Sequence, residues 1–175
     1  RNLDLVERRG GRRHTLLGVL DRTRTPMGAR MLREWLLHPL RDIAQLTARQ
    51  DLIGSFLANP YLLSKTRDSL DGIRDIERST GRLAQGSGNP RDLLALATSL
   101  ERIPALKEDL ASLPAAPATG TALQTSILGA MHEFEDLTSL LRQALVDEPP
   151  VSTKDGGIVR DGHSPELDEL RAAAH

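Results

Sequence analysis

Four dipeptides in this sequence place a helix-capping side chain directly before a proline. The side-chain oxygen of Thr, Asn or Ser accepts a hydrogen bond from a backbone N–H that the first helical turn leaves unpaired. Proline is tolerated at the first helical position because its missing N–H would have no partner there. The four pairs are Thr25-Pro26, Asn59-Pro60, Asn89-Pro90 and Ser164-Pro165. Four such helix starts within 175 residues predict a mainly helical chain.

Apolar stripes at helical spacing follow these starts. The clearest stripe begins after Pro90 and advances in steps of three and four residues, which is typical of an amphipathic helix. It consists of Leu93, Leu96, Leu100, Ile103, Leu106, Leu110 and Leu113. Pro104 lies inside this stripe and predicts a kink or a break. A second stripe over 123–145 predicts one helix or two, and Asp42 is expected to cap the helix that follows Pro39.

The helical phasing predicts which apolar side chains form the core. We expect Leu32, Trp35, Leu36, Ile53, Phe56, Leu93 and Leu100 to be buried. If Trp35 is buried in this way, Trp35→Ala should cost about 3–5 kcal/mol of folding free energy. Aromatic residues are scarce, with one Trp, one Tyr and two Phe, and a sheet protein usually contains more of them.

Two short segments carry β signals. Asn2-Leu3-Asp4-Leu5 alternates polar and apolar side chains, and Lys154-Asp155-Gly156-Gly157 is typical of a tight turn. The turn predicts a small hairpin between Val151 and Ile158-Val159, and we expect one of these two strands to pair with Leu3–Leu5. The predicted fold class is therefore all-α, an irregular multi-helix bundle with a small β element near the N-terminus and at 151–160.

Composition excludes several classes of protein. The formal net charge is −1, which argues against a uniformly basic nucleic-acid or membrane binder. The charge is nevertheless uneven, because residues 1–50 carry a net charge of +6 and residues 51–175 carry −7. The sequence has no cysteine, so disulfides, thiolate nucleophiles and Cys-based zinc sites are excluded. No apolar run has the length of a membrane span, and we expect a cytoplasmic protein.

No catalytic motif is found in the sequence. No two of the five histidines lie three or four residues apart, so no metal-binding pair is predicted. The sequence contains neither a phosphate-binding P-loop nor a G-x-S-x-G nucleophile motif. We therefore expect no catalytic, cofactor-binding or metal-binding residues, and the chain by itself should not be an enzyme.

One block of the sequence resembles a known family. Residues 15–57 read TLLGVLDRTRTPMGARMLREWLLHPLRDIAQLTARQDLIGSFL. This block is similar to the opening of the core (lever) domain of the MutS family of DNA mismatch-repair proteins. The matching positions are Thr25, Pro26, Gly28, Arg30, Trp35, Pro39 and Asp42, all read as structural. Gly28 in a first helical turn costs up to about 1 kcal/mol against Ala, which is tolerable where another helix or backbone packs closely.

Further matches extend the resemblance over essentially the whole chain. They are Asp75-Ile76-Glu77-Arg78, Gly81-Arg82-Leu83, Pro90-Arg91-Asp92-Leu93, Asp155-Gly156-Gly157-Ile158 and Glu166 to Arg171. The middle of the chain, 98–146, matches mostly in helical pattern. His163 is a departure, because the family usually has an aromatic residue after the preceding glycine.

The resemblance implies a division of the chain and a mechanical function. Residues 1–162 would form the core domain, and residues 163–175 would begin the lever helix that leads to a clamp domain. The piece would connect the DNA-binding and ATPase parts of a mismatch-recognition protein and relay the nucleotide state between them. Such coupling needs an element with two arrangements, and the candidate hinge positions are Pro104, Gly156 and Gly157.

The same resemblance implies cofactors and partners for a longer protein. ATP and magnesium would bind outside this segment, and none would bind within it. The partners would be mismatched double-stranded DNA, the neighbouring clamp, connector and ATPase domains, and a second copy in a homodimer, with no membrane. In a bacterium the protein would be associated with the nucleoid.

Two other functions compete with the connector. The first is a stand-alone helix-turn-helix DNA binder that uses the basic first fifty residues, although the helix at 42–57 has a broad apolar face that favours burial. The second is a helical adaptor for protein partners, which predicts a persistent exposed apolar groove. An exposed patch at Leu167 and Leu170 would not separate the adaptor from the connector, whereas a groove elsewhere would.

Overall fold

The regular structure of the chain is helical. The computed structural model describes residues 5–6, 11, 14–114 and 117–174, and it contains ten α-helices within them. They are α1 (Leu16–Leu20), α2 (Pro26–Leu37), α3 (Ile43–Ala58), α4 (Pro60–Asp71), α5 (Ile76–Ala84), α6 (Pro90–Leu100), α7 (Ile103–Ala111), α8 (Ala118–Ala130), α9 (Glu135–Ala144) and α10 (Pro165–Ala173). A short 3₁₀ helix covers Thr153–Asp155. The predicted all-α class is confirmed.

All four predicted capping pairs begin helices. In each pair the polar side chain accepts a hydrogen bond from a backbone N–H of the first turn, and the proline occupies the start of the helix. The acceptors are Thr25 in α2, Asn59 in α4, Asn89 in α6 and Ser164 in α10. At Asn89 the cap is reciprocal, because the Asp92 carboxylate accepts a hydrogen bond from the Asn89 backbone N–H at 3.1 Å.

The two long apolar stripes are each divided between two helices. The first breaks where predicted, because α6 ends at Leu100 and Pro104 lies in the first turn of α7. At that position proline removes no intrahelical hydrogen bond. The second stripe forms α8 and α9, which are separated by residues 131–134.

The chain divides into two compact units, and the first is assembled from two segments. It comprises Arg1–Ile73 and Arg102–His132 and carries α1 to α4, α7 and α8. Helix α3 packs against α4 and α8, and α7 packs against the same two helices. The buried core consists of Leu52, Leu62, Leu110 and Leu113, with Phe56, Leu123, Leu128 and Met131 packed around it.

The second unit is also discontinuous in sequence. It comprises Arg74–Glu101 and Glu133–His175 and carries α5, α6, α9 and α10. Helix α6 packs against both α5 and α9. Its buried core is Ala97, Leu141 and Leu145, with Leu93, Leu94 and Ile158 packed against it.

The predicted hairpin between Val151 and Ile158-Val159 is wrong. Val159 forms an isolated antiparallel bridge with Leu145, at the end of α9. Leu145 leaves the helix in an extended conformation, so the adjacent backbone groups can pair with the segment that returns. The Val146 N–H donates to the Ile158 carbonyl at 3.0 Å, which replaces the expected hairpin partner Val151. Residues 2–4 lie outside the described residues, and the Leu5 carbonyl accepts instead from Leu17 N–H at 2.8 Å.

The predicted core is only partly right. Leu100 is buried, whereas Leu32, Leu36, Phe56 and Leu93 are half-buried. Trp35 and Ile53 remain 45% and 56% exposed. On α3 the buried side chain is Leu52, because α4 and α8 pack against that side of the helix. Ile53 follows it by one residue and therefore points about 100° away.

The burial difference between these neighbours yields a stability prediction. Leu52→Ala should lower the free energy of unfolding by about 2–5 kcal/mol, because it removes a buried side chain from the core. Ile53→Ala should lower it by less than about 1 kcal/mol, because that side chain is exposed in this chain. Urea unfolding followed by circular dichroism measures both changes. Equal losses for the two variants would contradict the phasing of α3.

Candidate functional site

The start of α2 is built around its own cap. The Thr25 hydroxyl accepts a hydrogen bond from the Gly28 N–H at 3.0 Å. A Cβ at position 28 would lie 3.1 Å from the Thr25 hydroxyl and 3.5 Å from the Thr23 Cβ. Glycine therefore lets the capping hydroxyl approach the first turn closely. The close neighbour of Gly28 is the cap of the same helix rather than a second helix.

The connection from α2 to α3 contains the next two motif positions. Pro39 is exposed in this connection, and Asp42 caps α3. The Asp42 carboxylate accepts from the Gln45 backbone N–H at 3.2 Å and from the Gln45 side-chain amide at 3.0 Å. These hydrogen bonds stabilise the ionised form and lower the pKa of Asp42. Asp42 sets where α3 begins, whereas Pro39 directly follows His38, the C-cap of α2.

Trp35 is held by an arginine from the neighbouring helix. The Cζ atom of Arg49, on α3, lies 4.0 Å from the centroid of the Trp35 ring. This distance is typical of a cation–π contact. Helix α2 buries none of its residues, and this contact joins its apolar face to α3. The motif residue Arg30 lies half-buried on the same helix.

An apolar groove runs beside this contact. It has a volume of about 400 Å³ and is formed by α2, α3 and α8 within the first unit. Its lining consists of Met31, Trp35, Arg49, Leu52, Ile53, Phe56, Leu123 and Ile127. Seven of these eight side chains are apolar, and Arg49 provides the single charge. Such a surface suits the apolar face of a helix better than a polar small molecule.

A buried carboxylate fastens α4 to α7 in the same unit. Asp109 is fully buried, and its carboxylate lies 2.5 Å from the Lys65 ammonium. Ser69 donates a hydrogen bond to the same carboxylate at 2.9 Å. The hydrogen bond and the charge of Asp109 raise the pKa of Lys65. Because both partners of Asp109 come from α4, this cluster stabilises a helix pair.

The second unit contains a network centred on Arg142 of α9. Its guanidinium binds both oxygens of the Glu101 carboxylate at 2.7 Å and donates to the Thr98 hydroxyl at 3.0 Å. This bidentate pair lowers the pKa of Glu101, the Arg142 hydrogen bond being the largest cause. The Arg142 carbonyl in turn accepts from the Arg160 guanidinium at 3.0 Å. The network joins α6, α9 and the segment that precedes α10.

Arg171 extends these contacts to α10. One of its guanidinium nitrogens lies 2.7 Å from the Asp161 carboxylate, and the other donates to the Val159 carbonyl at 2.9 Å. Val159 is the residue that bridges to Leu145, which directly follows α9. A continuous set of short polar contacts therefore links α10 to α9 and α6 within one unit.

The three candidate hinge residues are divided between the two units. Pro104 belongs to the first unit, in α7, whereas Gly156 and Gly157 belong to the second. The φ angles of the two glycines are 69° and 64°, in the left-handed region where other residues are strained. Their function as hinges stays a prediction.

Among the described residues, no group of three or more His, Asp or Glu side chains could hold a metal ion. Over the same residues, no helix has the length and apolar character needed to cross a membrane. The distinguishing features are the capped motif and the groove in the first unit and the arginine network in the second. Their chemistry is helix positioning and contact between helices.

Comparison with known proteins identifies the family. A family model described as MutS domain III matches residues 1–174. The chain belongs to the MutS domain III family. It is 43% identical over 99% of its length to the DNA mismatch repair protein MutS of Symbiobacterium thermophilum, and 42% identical over 98% to that of Halothermothrix orenii. A third relative, from Listeria innocua, is 39% identical over 99% of this chain.

These matches cover only part of each relative. The chain spans 19% of the first two relatives and 20% of the third, or about a fifth of their length. The resemblance to the MutS core domain inferred from residues 15–57 is confirmed at the level of the family.

Three arginines of this MutS domain III make contacts that the sequence predicts weakly or not at all. Arg49 lies in the motif block, but nothing local to it predicts its contact with Trp35, fourteen residues earlier in the chain. Arg142 and Glu101 are 41 positions apart, so their pairing depends on how α6 and α9 pack. Arg171 had a weak signal, since Asp168 precedes it by three residues on the same helix face.

The exposure of Trp35 changes the expected cost of its removal. Trp35→Ala should cost about 1–2 kcal/mol of unfolding free energy in this chain, below the range for a fully buried side chain. Arg49→Ala should cost about 0.5–1 kcal/mol through loss of the cation–π contact. A double-mutant cycle measured by urea unfolding should show coupling between the two. Tyr61→Ala, at another exposed aromatic, is the control and should show no coupling to Arg49→Ala.

The pair of Asp92 and Arg82 gives a pH prediction. Asp92 is nearly buried, and hydrogen bonds from the Arg82 side chain and the Asn89 N–H lower its pKa from an ordinary value of 3.8. A carboxyl whose pKa is lower in the folded state contributes stability above its unfolded pKa and loses it as the pH falls through the folded pKa. Arg82→Gln should therefore destabilise the chain near neutral pH and reduce the further loss of stability on acidification below about pH 4.

The measurement is thermal unfolding at a series of pH values from neutral to acidic. Arg78→Gln serves as the matched control, because Arg78 is exposed and lies 4.0 Å from the Asp75 carboxylate. This control should retain the pH dependence of the unsubstituted chain. An unchanged acid slope in Arg82→Gln would show that the ion pair does not set the titration of Asp92.

Proposed function

We propose that this MutS domain III is the structural and signal-relay core of a longer mismatch-repair protein. In this proposal it connects the DNA-binding and ATPase parts and carries out no chemistry of its own. The observation that supports the relay most directly is the network that links α10 to α9 and α6. The sequence of α10 resembles the start of the family's lever helix, so this network would couple the lever to the core.

The network would transmit displacement through short, directional contacts. If α10 rotates, the two Arg171 contacts at 2.7 Å and 2.9 Å must stretch or carry Val159 and Asp161 with them. Val159 is bridged to Leu145, and Arg160 is bonded to the Arg142 carbonyl. The movement would therefore reach α9 rather than dissipate in the connecting segment. Coupling between distant sites requires such a contiguous element with a biased equilibrium.

The proposal extends to the regions outside this chain. Residues 1–162 would be the core domain, and residues 163–175 would begin the lever leading to the clamp. ATP and magnesium would bind in the ATPase part, mismatched duplex DNA would bind through other domains, and two copies would form a homodimer. Gly156 and Gly157 would absorb backbone rotation next to the lever, and Pro104 would be a second such position.

A stand-alone DNA reader is less well supported. A helix-turn-helix protein needs a second helix that is free to enter the major groove. Helix α3 is the candidate by sequence, yet it packs against α4 and α8 and buries Leu52 in the core. The adaptor is the better second candidate, because the groove of α2, α3 and α8 is apolar and its lining includes neither Leu167 nor Leu170.

Binding of this chain to DNA tests where recognition resides. The isolated 175-residue chain should bind homoduplex and mismatched duplex equally and weakly, with binding lost as salt is raised. Fluorescence anisotropy with labelled duplexes at low and moderate salt measures this. Tight binding that favours the mismatch would instead mean that domain III reads DNA itself.

The relay is tested in the longer polypeptide. ATP is expected to change the DNA affinity of the longer polypeptide by some factor. Arg171→Gln should bring that factor closer to one by about five-fold or more, because it uncouples α10 from α9. DNA affinity without nucleotide should change little. Arg78→Gln, an exposed arginine of the same unit outside the network, should leave the factor unchanged. A normal factor in Arg171→Gln would remove the support for this path.

A further inference from the structure

We propose that the groove of α2, α3 and α8 receives an amphipathic helix with an acidic flank, supplied by a part of the longer polypeptide outside these 175 residues. This inference rests on the proposed function, because a connector must bind the domains it connects. It adds to that function the surface used and the chemistry of the partner helix.

The groove leaves apolar area uncovered in this chain. Met31 and Ile53 are each 56% exposed, and Trp35 and Ile127 remain 45% and 38% exposed. These four side chains come from three different helices, so the apolar surface is contiguous rather than scattered. A contiguous apolar patch is typical of a surface that another element covers.

Helix α2 points to the same conclusion. It is amphipathic and twelve residues long, yet none of its residues is buried. Isolated helices of this length are marginal in water, and most helical stability comes from packing of the apolar face. A partner in the groove would contact Met31 and Trp35 and would supply the packing that α2 lacks.

The charge of the groove specifies the partner. Among the described residues that line the groove, Arg49 is the single charged side chain, and its guanidinium is held over Trp35. Over the described residues no carboxylate pairs with Arg49, and Glu34, next to Trp35 in the sequence, lies 3.1 Å from His38. Covering a cation with apolar surface alone is costly, so the partner must offer a carboxylate at this position. Apolar anchors at i, i+3 or i+4, and i+7 would fill the remainder.

The length of the relatives indicates where the partner helix comes from. The chain covers about a fifth of their length, so most of the polypeptide in the relatives lies outside this domain. A partner helix in the same polypeptide is present at high effective concentration, so a groove of this modest size is sufficient to bind it. A separate protein or a second copy would have to find the same groove without that advantage.

Cysteine protection provides the test. This sequence has no cysteine, so Ile53→Cys places one reporter thiol in the groove. Tyr61→Cys is the matched control, on the exposed surface of α4 outside the groove. Alkylation by N-ethylmaleimide is compared in the isolated chain and in the longer polypeptide with its other cysteines replaced by serine. We expect Ile53→Cys to react about ten-fold more slowly in the longer polypeptide, and Tyr61→Cys to react equally in both.

Charge reversal tests the chemistry of the partner. Adding Arg49→Glu to Ile53→Cys should restore rapid alkylation in the longer polypeptide, whereas adding Arg49→Lys should retain most of the protection. Equal reaction rates of Ile53→Cys in the two contexts would overturn the proposal. Protection in the isolated chain that rises with its concentration would also overturn it, by assigning the groove to a second copy. Protection of Ile53→Cys that appears only when another protein is added would also overturn the proposal, by assigning the groove to an adaptor function.

The two proposals fail independently. If Arg49→Glu does not restore alkylation of Ile53→Cys, the relay test with Arg171→Gln is unaffected, because that test measures the ATP dependence of DNA affinity. Conversely, an unchanged affinity ratio in Arg171→Gln leaves the protection of Ile53→Cys as a measure of docking alone.

Discussion

The hydrogen bonds at the helix starts are the constraint on which the rest of this structure depends. The ten helices of the described residues are short, between five and sixteen residues, and isolated helices of such lengths are unstable in water. Each therefore needs a defined start and a packed face. A capping side chain followed by proline fixes the first residue of α2, α4, α6 and α10. The first residue in turn decides which side chains face a neighbour and which face the solvent.

The two units use different interactions to keep their helices together. In the first unit, leucines from α3, α4 and α7 form the core, and the buried Asp109 joins α4 to α7. In the second unit the core is smaller, and arginines carry more of the connection between elements. Bidentate arginine contacts are directional, so they transmit position better than apolar contacts that can slide. A relay function would draw on this second kind of contact.

Local signals in the sequence predicted what is local in the structure. The four capping pairs, the Asp42 cap and the break before Pro104 each depend on residues within one helical turn, and all are found. Most failures involve partners far away in the sequence, and the hairpin predicted at 151–160 is the local exception, because Ile158 pairs with Val146. Leu52 and Ile53 are both apolar, and only the packing of α4 and α8 decides which is buried. The bridge from Val159 to Leu145 depends on how the chain leaves α9, which no pattern near residue 159 encodes.

The interleaving of the two units has a consequence for how the polypeptide folds during synthesis. Helix α3 must wait for α8, which begins sixty residues after α3 ends, before its main packing partner exists. By then α5 and α6 have also been made, and α6 still lacks α9. No single cut in the chain separates the units, and a ribosome that has reached residue 101 has completed neither. Nascent chains of this domain therefore expose apolar helix faces until nearly the whole segment has emerged, which makes them natural clients for chaperones.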